Sequence, residues 1–267
     1  MVPTTTKLTT RRRFYAPPNS FAVDRESVRL AADEARHLRD VLRLQVGDQI
    51  YVFDGEGKEF ECTIEESSRD FAQLRVLAEV QPARSESPLD LTLAVALLKG
   101  DKFDLVVQKI TELGVMRILP IITERADVRL RDESDAGKRV GRWQRIALEA
   151  AKQSGRARVP EVAEPRTFHS LMENLSAPVD PNIPASLIVM FSERDGQRLS
   201  EAIGEQESGE RRLTALVGSE GGWTDEEIAQ ARGNGAKIVT LGGRTLRAET
   251  AAIAVVALLQ SQLGDLN

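Results

Sequence analysis

Three charged residues near the C-terminus are the strongest candidates for chemistry in this sequence. Arg244, Arg247 and Glu249 are packed into one short loop, between a predicted apolar strand and a predicted apolar helix. Isolated buried charge is costly, so charged side chains in such a place need a partner. Glycine-bearing turns from a strand to a helix are also common in purely structural roles. The charges favour a ligand as the partner, and therefore a binding loop.

A second, glycine-rich loop lies earlier in the same region. Residues 218–223 read Gly-Ser-Glu-Gly-Gly-Trp and follow an apolar segment at 213–217. Thr224 and Glu227 form a capping-box pattern, which predicts a helix that begins at about Asp225. The charged loop likewise follows an apolar segment, at 237–241, and precedes an apolar helix that is predicted to be buried. Because open α/β sheets bind ligands at the carboxyl ends of their strands, the two loops are predicted to form one pocket.

Three common motifs are excluded by their spacing. The P-loop pattern Gly-x-x-x-x-Gly-Lys-Ser/Thr does not occur, and Gly233 and Gly235 lack the third glycine of the dinucleotide fingerprint. A nucleophile elbow nearly fits around Ser219, but Val217 stands where that motif has glycine. Both histidines precede Ser219, whereas the elbow-bearing fold has its histidine after the serine. A serine hydrolase is therefore not expected.

Composition indicates a globular chain without a membrane segment or a metal site. Of the 267 residues, 41% are hydrophobic and 29% are charged, and no apolar run approaches the roughly 20 residues that span a bilayer. The threonine-rich start does not resemble a signal peptide. The single Cys62 forms no internal disulfide, which is typical of a reducing cytoplasm. Two histidines and one cysteine, far apart, give no zinc site.

The chain divides at a proline-containing segment near residue 85. Before it, short alternating segments at 49–54, 59–64 and 71–80 are separated by tight turns, which predicts a small β-barrel. After it, a strand at 89–98, a helix at 101–113 and a strand at 115–122 predict a right-handed βαβ unit with a parallel sheet. A further helix is predicted at 142–153, a buried strand at 187–191 and a polar loop at 204–211.

Two arginine groups precede or lie within the predicted barrel. One is the cluster at residues 11–13, and the other is the set Arg36, Arg39 and Arg43, predicted on one face of a helix at 33–44. The net charge of −5 argues against a general nucleic-acid binder. An arginine stripe is often just a solvated face. Beside a second cluster it favours contact with phosphates, and the candidates are Arg11, Arg12, Arg13, Arg36, Arg39 and Arg43.

At these loops the sequence resembles the ribosomal RNA small subunit methyltransferase E family. Residues 218–223 resemble the family's G-P-E-G-G-F loop, and residues 241–251 its L-G-x-R-I-L-R-x-E-T-A segment. Ser219 replaces proline, Trp223 phenylalanine and Thr245 isoleucine. Further similar segments lie at 13–15, 37–43, 98–104, 111–115, 123–125 and 151–160. The resemblance covers residues 12 to 263 and is most specific in the last fifty.

The resemblance implies an α/β fold of two domains. The implied arrangement is a PUA-like RNA-binding β-barrel at 13–84 and a SPOUT-type knotted, parallel-sheet methyltransferase domain at 85–267. The residues before the barrel, 1–12, are predicted to form a disordered tail because the start of the chain is rich in threonine. The resemblance also implies a C-terminal trefoil knot and a homodimer with the cofactor pocket beside the subunit interface. Knots are nearly absent from proteins. Nothing in the periodicity of this sequence predicts one, so the expected knot rests on the resemblance alone. The location expected from the single cysteine is the cytoplasm.

The implied activity is methylation of uracil N3 in 16S ribosomal RNA, free or in the small subunit, with S-adenosylmethionine as cofactor. Two alternatives stay open: a ribose 2′-O RNA methyltransferase of the same fold, and a non-catalytic RNA-binding protein. Arg247 is predicted to stabilise negative charge on the uracil carbonyl oxygens. Glu249 is either a base or a partner that holds Arg247, and Arg125 and Arg156 are further charge-stabilising candidates. Predicted at the cofactor are Val217, Gly218, Ser219, Glu220, Gly221, Leu241, Gly242, Arg244, Leu246, Thr250 and Ala251.

Overall fold

A computed structural model describes residues 11–128, 130, 132–176, 186–204 and 211–266. The chain separates into two compact units. The N-terminal unit comprises Met1–Glu86 and Ala151–Val159, and the C-terminal unit comprises Ser87–Ala150 and Pro160–Asn267. Most of the tail predicted at 1–12 lies outside the described residues. Arg11, however, already donates a hydrogen bond from Nη1 to Glu59 Oε1 at 3.0 Å.

The N-terminal unit is built on one five-stranded sheet in the order β1-β3-β4-β5-β2. Its strands are β1 Arg13–Tyr15, β2 Ser27–Leu30, β3 Gln49–Phe53, β4 Glu59–Ser67 and β5 Ala72–Val80. β1 pairs with β3 in parallel, and the other pairs are antiparallel. Alternate residues of β4 enter the core: Phe60, Cys62 and Ile64 are all buried. This confirms the alternation from which the strand was predicted.

The helical segment of this unit differs from the prediction. A short α-helix, α1 Ala32–Arg36, continues as one turn of π-helix at His37–Val41. The wider turn is closed by the Leu42 amide, which donates to the carbonyl of His37 at 3.0 Å. Arg43 then has a left-handed φ of 54°. The prediction that Arg36, Arg39 and Arg43 share one α-helical face is therefore wrong.

The C-terminal unit is built on a second sheet, in which all pairs are parallel. The order is β12-β10-β11-β6-β7-β8, and β9 also pairs with β7. Its strands are β6 Leu89–Ala96, β7 Arg117–Ile122, β8 Glu161–Val162, β9 Arg166–Thr167, β10 Leu187–Phe191, β11 Arg211–Val217 and β12 Lys237–Val239. The predicted parallel α/β sheet is confirmed.

Six further helices follow within the described residues, in chain order. They are α2 Lys102–Glu112, α3 Glu133–Ser154, α4 Phe168–Ser176, α5 Leu199–Ile203, α6 Asp225–Gly233 and α7 Ala248–Leu263. None of the helices in the described residues is long and apolar enough to cross a membrane. Most of the polar loop predicted at 204–211 lies outside the described residues, and Arg211 already belongs to β11.

Two helices differ from the predictions in extent or burial. α3 was predicted at 142–153, but it begins at Glu133. The residues from 133 to 141 are mostly polar and include glycines at 137 and 141, so they show no apolar period from which a helix could be predicted. α7, whose sequence is apolar nearly all round, was predicted to be buried. It buries one face, which includes Ala252, Val255 and Leu259, whereas Leu258 on the other side is 38% exposed.

The register of the sheet aligns three strand ends. Phe191, the last residue of β10, pairs with Val217 at the end of β11 and with Val239 at the end of β12. Buried apolar side chains dominate these strands, which is typical of a parallel sheet covered on both faces. The segments that follow these strands therefore leave the sheet side by side.

Candidate active site

One cavity of about 260 Å³ lies where these three segments leave the sheet. Both predicted loops line it, which confirms the prediction that they form one pocket. Of the predicted cofactor residues, the cavity is lined by Val217, Gly218, Ser219, Glu220, Gly221, Leu241, Gly242, Arg244, Leu246 and Ala251. Thr250 is exposed and is not among the lining residues.

The glycines of the first loop are required by close packing. A Cβ on Gly221 would lie 2.8 Å from Arg125 Cβ and 2.9 Å from the Arg125 carbonyl oxygen. Gly222 has a left-handed φ of 67°, and a Cβ there would lie 2.8 Å from Glu193 Oε1. The Gly222 amide donates to the carbonyl of Ser219 at 2.9 Å, which closes a tight turn. The loop thus packs its backbone directly against neighbouring segments.

Trp223 fixes the end of this loop to the neighbouring strand. Its side chain is 1% exposed, and its indole Nε1 donates to the carbonyl of Phe191 at 2.8 Å. The ring also packs on Phe168, with ring centroids 5.3 Å apart. A phenylalanine at this position would lack the N–H, so the substitution seen here adds a hydrogen bond between the loop and the end of β10.

The helix that follows is capped as the sequence predicted. Thr224 Oγ1 accepts a hydrogen bond from the Glu227 amide at 3.1 Å, and Glu227 Oε2 accepts one from the Thr224 amide at 2.9 Å. Glu227 Oε1 also accepts from the Glu124 amide at 3.0 Å, which joins the cap to the segment after β7. The next residue of that segment, Arg125, donates from Nη1 to the carbonyl oxygens of Trp223 at 3.0 Å and Gly221 at 3.3 Å.

The charged loop is more open than the sequence suggested. Arg244 and Arg247 are exposed, so the argument from buried charge does not apply to them. Arg247 stands between two lining residues, Leu246 and Ala248, at the start of α7. The carboxylate of Glu249, in contrast, is only 14% exposed, and its Oε2 is buried with no hydrogen-bond partner among the described residues.

Lys102 links the two loops. Its Nζ lies 2.7 Å from Glu220 Oε1 and 3.5 Å from Glu249 Oε2. The hydrogen bond to Glu220 is the main cause that raises the pKa of Lys102 above its ordinary value. Burial acts to raise the pKa of Glu220, but the hydrogen bonds from Lys102 and from the backbone amide of Glu220 outweigh it, so that the pKa is lowered. Glu220 and Lys102 are therefore both charged near neutral pH.

Sequence reasoning missed part of the site. The sequence places Lys102 only within the family-like segment at 98–104 and does not predict its role. Its partners are distant in the chain: Glu220 is 118 residues away, and Glu249 is farther still. The segment after β10 was also missed, although the prediction of its strand at 187–191 was correct. The additional lining residues are Phe191, Ser192, Glu193, Gly222, Trp223, Thr240, Gly243, Thr245, Ala248 and Val255.

Arg156 belongs to the N-terminal unit and has a partner there. It is 5% exposed, and its Nη2 lies 2.7 Å from Glu86 Oε2. Its backbone carbonyl accepts a hydrogen bond from Arg13 Nη2 at 2.9 Å. These contacts support a structural role, and its catalytic role stays a prediction that the geometry does not favour.

The arginines predicted to contact RNA separate into two groups. Arg11 and Arg13 bind Glu59, a fully buried carboxylate, and Arg13 is itself 9% exposed. Arg39 donates to Asp40 and to the carbonyl of Ser68. Arg12, Arg36 and Arg43 are exposed, and Arg36 also lies 3.6 Å from Asp33 Oδ1. The exposed group is the one available to an external phosphate.

The cavity can hold a small polar molecule through backbone groups at the strand ends and two carboxylates, Glu193 and Glu220. Within the described residues there is no cluster of histidine, cysteine and acidic side chains that could hold a metal ion.

Comparison with known proteins shows two matching family models. Residues 85–260 match the model described as an RNA methyltransferase domain, and residues 30–77 match an RNA methyltransferase PUA domain. The first match covers the C-terminal sheet and both loops of the cavity.

Proteins named ribosomal RNA small subunit methyltransferase E are similar over most of the chain. The one from Synechocystis is 35% identical over 237 residues, which cover 89% of this chain and 74% of that protein. The one from Bacillus subtilis is 31% identical over 237 residues, 87% of this chain and 89% of that protein. A crystal structure of the enzyme of this name from Neisseria gonorrhoeae, bound to S-adenosylmethionine, is 35% identical with a TM-score of 0.78, over 96% of this chain and all of that one.

Proposed function

This chain belongs to the ribosomal RNA small subunit methyltransferase E family, and from that premise we propose that it methylates uracil N3 of a uridine in 16S ribosomal RNA, with S-adenosylmethionine as methyl donor. The observation that carries the proposal is the cavity at the ends of β10, β11 and β12. Its walls are the two loops that carry the family's sequence motifs.

The residues of the cavity fit S-adenosylmethionine. Gly221 and Gly222 leave no room for a side chain between the loop and its neighbours, so the loop's backbone is held in place. Leu241, Leu246 and Val255 provide apolar surface, and Glu193 and Glu220 provide carboxylates. Such a combination suits a ligand with an apolar ring system and a positive charge.

The cofactor, when bound, supplies an activated methyl group on a sulfonium, so the protein mainly has to position the nucleophile. Arg247 is exposed between two lining residues, which supports a role in stabilising negative charge on a uracil carbonyl oxygen. Glu249 faces Lys102, which supports a positioning role over removal of the N3 proton. Arg125 binds carbonyl oxygens of the first loop, which supports a role in holding that loop.

Uracil N3 pairs within RNA helices, so the target base must be unpaired or extruded before transfer. The exposed arginines Arg12, Arg36 and Arg43 of the N-terminal unit support contact with the phosphates around the target. The partner is 16S ribosomal RNA, free or in the small subunit, and such a partner fits a cytoplasmic protein.

We include in the proposal a homodimer and a trefoil knot in the last fifty residues. The dimer is supported by the partly exposed apolar side of α7, which includes Leu258. The knot rests on membership of the family.

The test is incubation of the protein with methyl-labelled S-adenosylmethionine and small ribosomal subunits from cells that lack it, followed by nucleoside analysis. Label in 3-methyluridine is the expected result. Label in a 2′-O-methyl nucleoside would keep the fold and the cofactor but overturn the proposed reaction. Binding of RNA without binding of S-adenosylmethionine, measured by calorimetry, would indicate a non-catalytic RNA-binding protein.

A further inference from the structure

The position of Lys102 is not explained by the helix that carries it. Lys102 is the first residue of α2. A cation at the N-terminus of a helix is disfavoured by the helix dipole, which places partial positive charge at that end. The local sequence therefore gives no reason for lysine here, and the reason lies in what its ammonium contacts.

Those contacts reach both sides of the cavity. Glu220 belongs to the first loop, which follows β11, and lies 2.7 Å from Lys102 Nζ. Glu249 lies in the first turn of α7, directly after the second loop, at 3.5 Å from the same nitrogen. Two carboxylates that approach one ammonium repel each other when it is removed.

Glu249 is the more buried of the two carboxylates, at 14% exposed against 36% for Glu220. Its Oε2 is buried and makes no hydrogen bond within the described part of the chain. A buried carboxylate oxygen without a donor is costly, and a nearby cation offsets part of the cost. Removal of Lys102 would leave the buried carboxylate of Glu249 without a nearby cation. This would favour movement of the start of α7, which carries Glu249.

We infer that Lys102 is a positioning residue that ties the two cofactor loops together, by binding Glu220 of the first loop and Glu249 after the second. Through this tie it sets the width of the cavity and so the affinity for the methyl donor. The effect on affinity rests on the proposed function, whereas the link between the loops concerns the protein alone.

The tie is tested by hydrogen–deuterium exchange in the ligand-free protein. We expect Lys102→Met to speed exchange about fivefold or more in peptides that cover 218–223 and 241–250. Lys102→Arg, which keeps the charge, should restore slow exchange. The matched control is Lys109→Met, since Lys109 lies on the same helix and pairs with Glu112 at 2.9 Å, and neither residue lines the cavity. Unchanged exchange of both loops in Lys102→Met would overturn the inference.

A second measurement separates the tie from general damage to the fold. We expect Lys102→Met to weaken binding of S-adenosylmethionine about tenfold by calorimetry, with a rise in KM for the cofactor that exceeds the change in kcat. Glu220→Gln breaks the same contact from its other end, so adding Lys102→Met to it should weaken binding by less than about threefold more. Fully additive effects would overturn the inference.

Failure of the proposed function gives a different pattern. If the wild-type protein bound no S-adenosylmethionine, the proposed reaction would be wrong. The hydrogen–deuterium exchange experiment would still decide whether Lys102 holds the two loops.

Discussion

At the scale of single residues, the charged side chains of the site divide by what they contact. Arg125 donates to carbonyl oxygens of the first loop, and Lys102 binds two carboxylates, so both act on the protein itself. Arg244 and Arg247 are exposed beside the cavity and are free to act on a ligand. The arginines of the second loop are therefore expected to act on the ligand, whereas Arg125 and Lys102 hold segments of the protein in position.

Replacement of Arg247 should therefore affect the reaction more than cofactor binding. We expect Arg247→Ala to lower kcat about 100-fold, because a cation that stabilises charge in the transition state is lost, with cofactor affinity within about threefold. Arg244→Ala is the contrasting variant. Because Arg244 lines the cavity, this variant should mainly raise the dissociation constant of the cofactor. If both variants lost kcat and cofactor affinity to the same extent, Arg244 and Arg247 would not have distinct roles. Single-turnover methyl transfer and calorimetry give the two quantities.

Glu249 is expected to position rather than to accept a proton. Glu249→Gln should keep kcat within about tenfold of wild type at neutral pH, because the amide keeps the shape of the side chain and loses only the charge that faces Lys102. A loss above about 100-fold with unchanged cofactor affinity would instead identify Glu249 as the base. The pH dependence of kcat, measured on both proteins, distinguishes the two outcomes.

The contact between Lys102 and Glu220 should also appear in the pH dependence of stability. The pKa of Glu220 is lowered below its ordinary value of 4.5, so its contribution is present above pH 4.5 and is lost as the pH falls through the folded-state pKa. The pKa of Lys102 is raised above 10.5, so its contribution is present below pH 10.5 and is lost as the pH rises through the raised value.

The difference in melting temperature between wild type and Lys102→Met should accordingly be largest near pH 7 and shrink below about pH 4. It should be small, about 1–2 °C, because the pair is exposed to solvent. A difference that grows on acidification would contradict this account. Scanning calorimetry at a series of pH values provides the measurement.

At the scale of elements, the first loop is fixed at its end by Trp223 and by the cap of α6. The indole N–H satisfies the carbonyl of Phe191 at the end of β10, and both groups are buried. Thr224 and Glu227 close the first turn of the helix. The cavity therefore depends on a hydrogen bond between two of its lining residues and on a helix cap behind them.

Trp223→Phe tests whether this anchor reaches the ligand. The variant leaves the Phe191 carbonyl without its donor, so we expect a loss of about 1–3 kcal/mol in the free energy of unfolding, together with weaker cofactor binding. Trp143→Phe is the matched control: Trp143 is also buried and donates from Nε1 to Asp104 at 3.2 Å. The control should lose stability but keep cofactor affinity. Equal losses of affinity would mean that general destabilisation is the cause.

Local signals were sufficient where the structure is local. The strand at 187–191 and the start of α6 at Asp225 were predicted correctly, because an apolar run and a capping box are contained in a few adjacent residues. The π-helical turn at His37–Val41 was not, since nothing in the apolar spacing separates it from an α-helix. Lys102 was missed as a site residue because Glu220, its partner, is 118 residues away.

At the scale of the whole molecule, each unit has its own core. Phe14, Ile50 and Leu74 belong to the core of the N-terminal unit, and Met190 and Trp223 to a core of the C-terminal unit. The segment Ala151–Val159 groups with the N-terminal unit, although it lies far along the chain. The domain boundary predicted near residue 85 from composition assigns this segment to the C-terminal domain. Nothing in the local sequence of the segment indicates that it packs with the N-terminal unit.

The apolar side of α7 is the candidate interface for assembly of two copies. α7 is apolar nearly all round, yet Ile253, Ala254 and Ala257 are only partly buried and Leu258 is 38% exposed. A helix with this composition is normally buried, and a second copy of the chain is the proposed cover. Wild type should therefore sediment as a dimer.

Leu258→Glu places a charge on this face, so it should weaken the dimer about 100-fold or more and yield a monomer at micromolar concentration, because an unpaired carboxylate in an apolar interface is costly. Leu77→Glu is the control, since Leu77 of β5 is 45% exposed and lies in the N-terminal unit; it should stay dimeric. Sedimentation velocity gives both masses. A Leu258→Glu protein that remains dimeric would show that α7 is not the interface. If the variant becomes monomeric and also loses cofactor affinity, the proposed placement of the pocket beside the interface gains support.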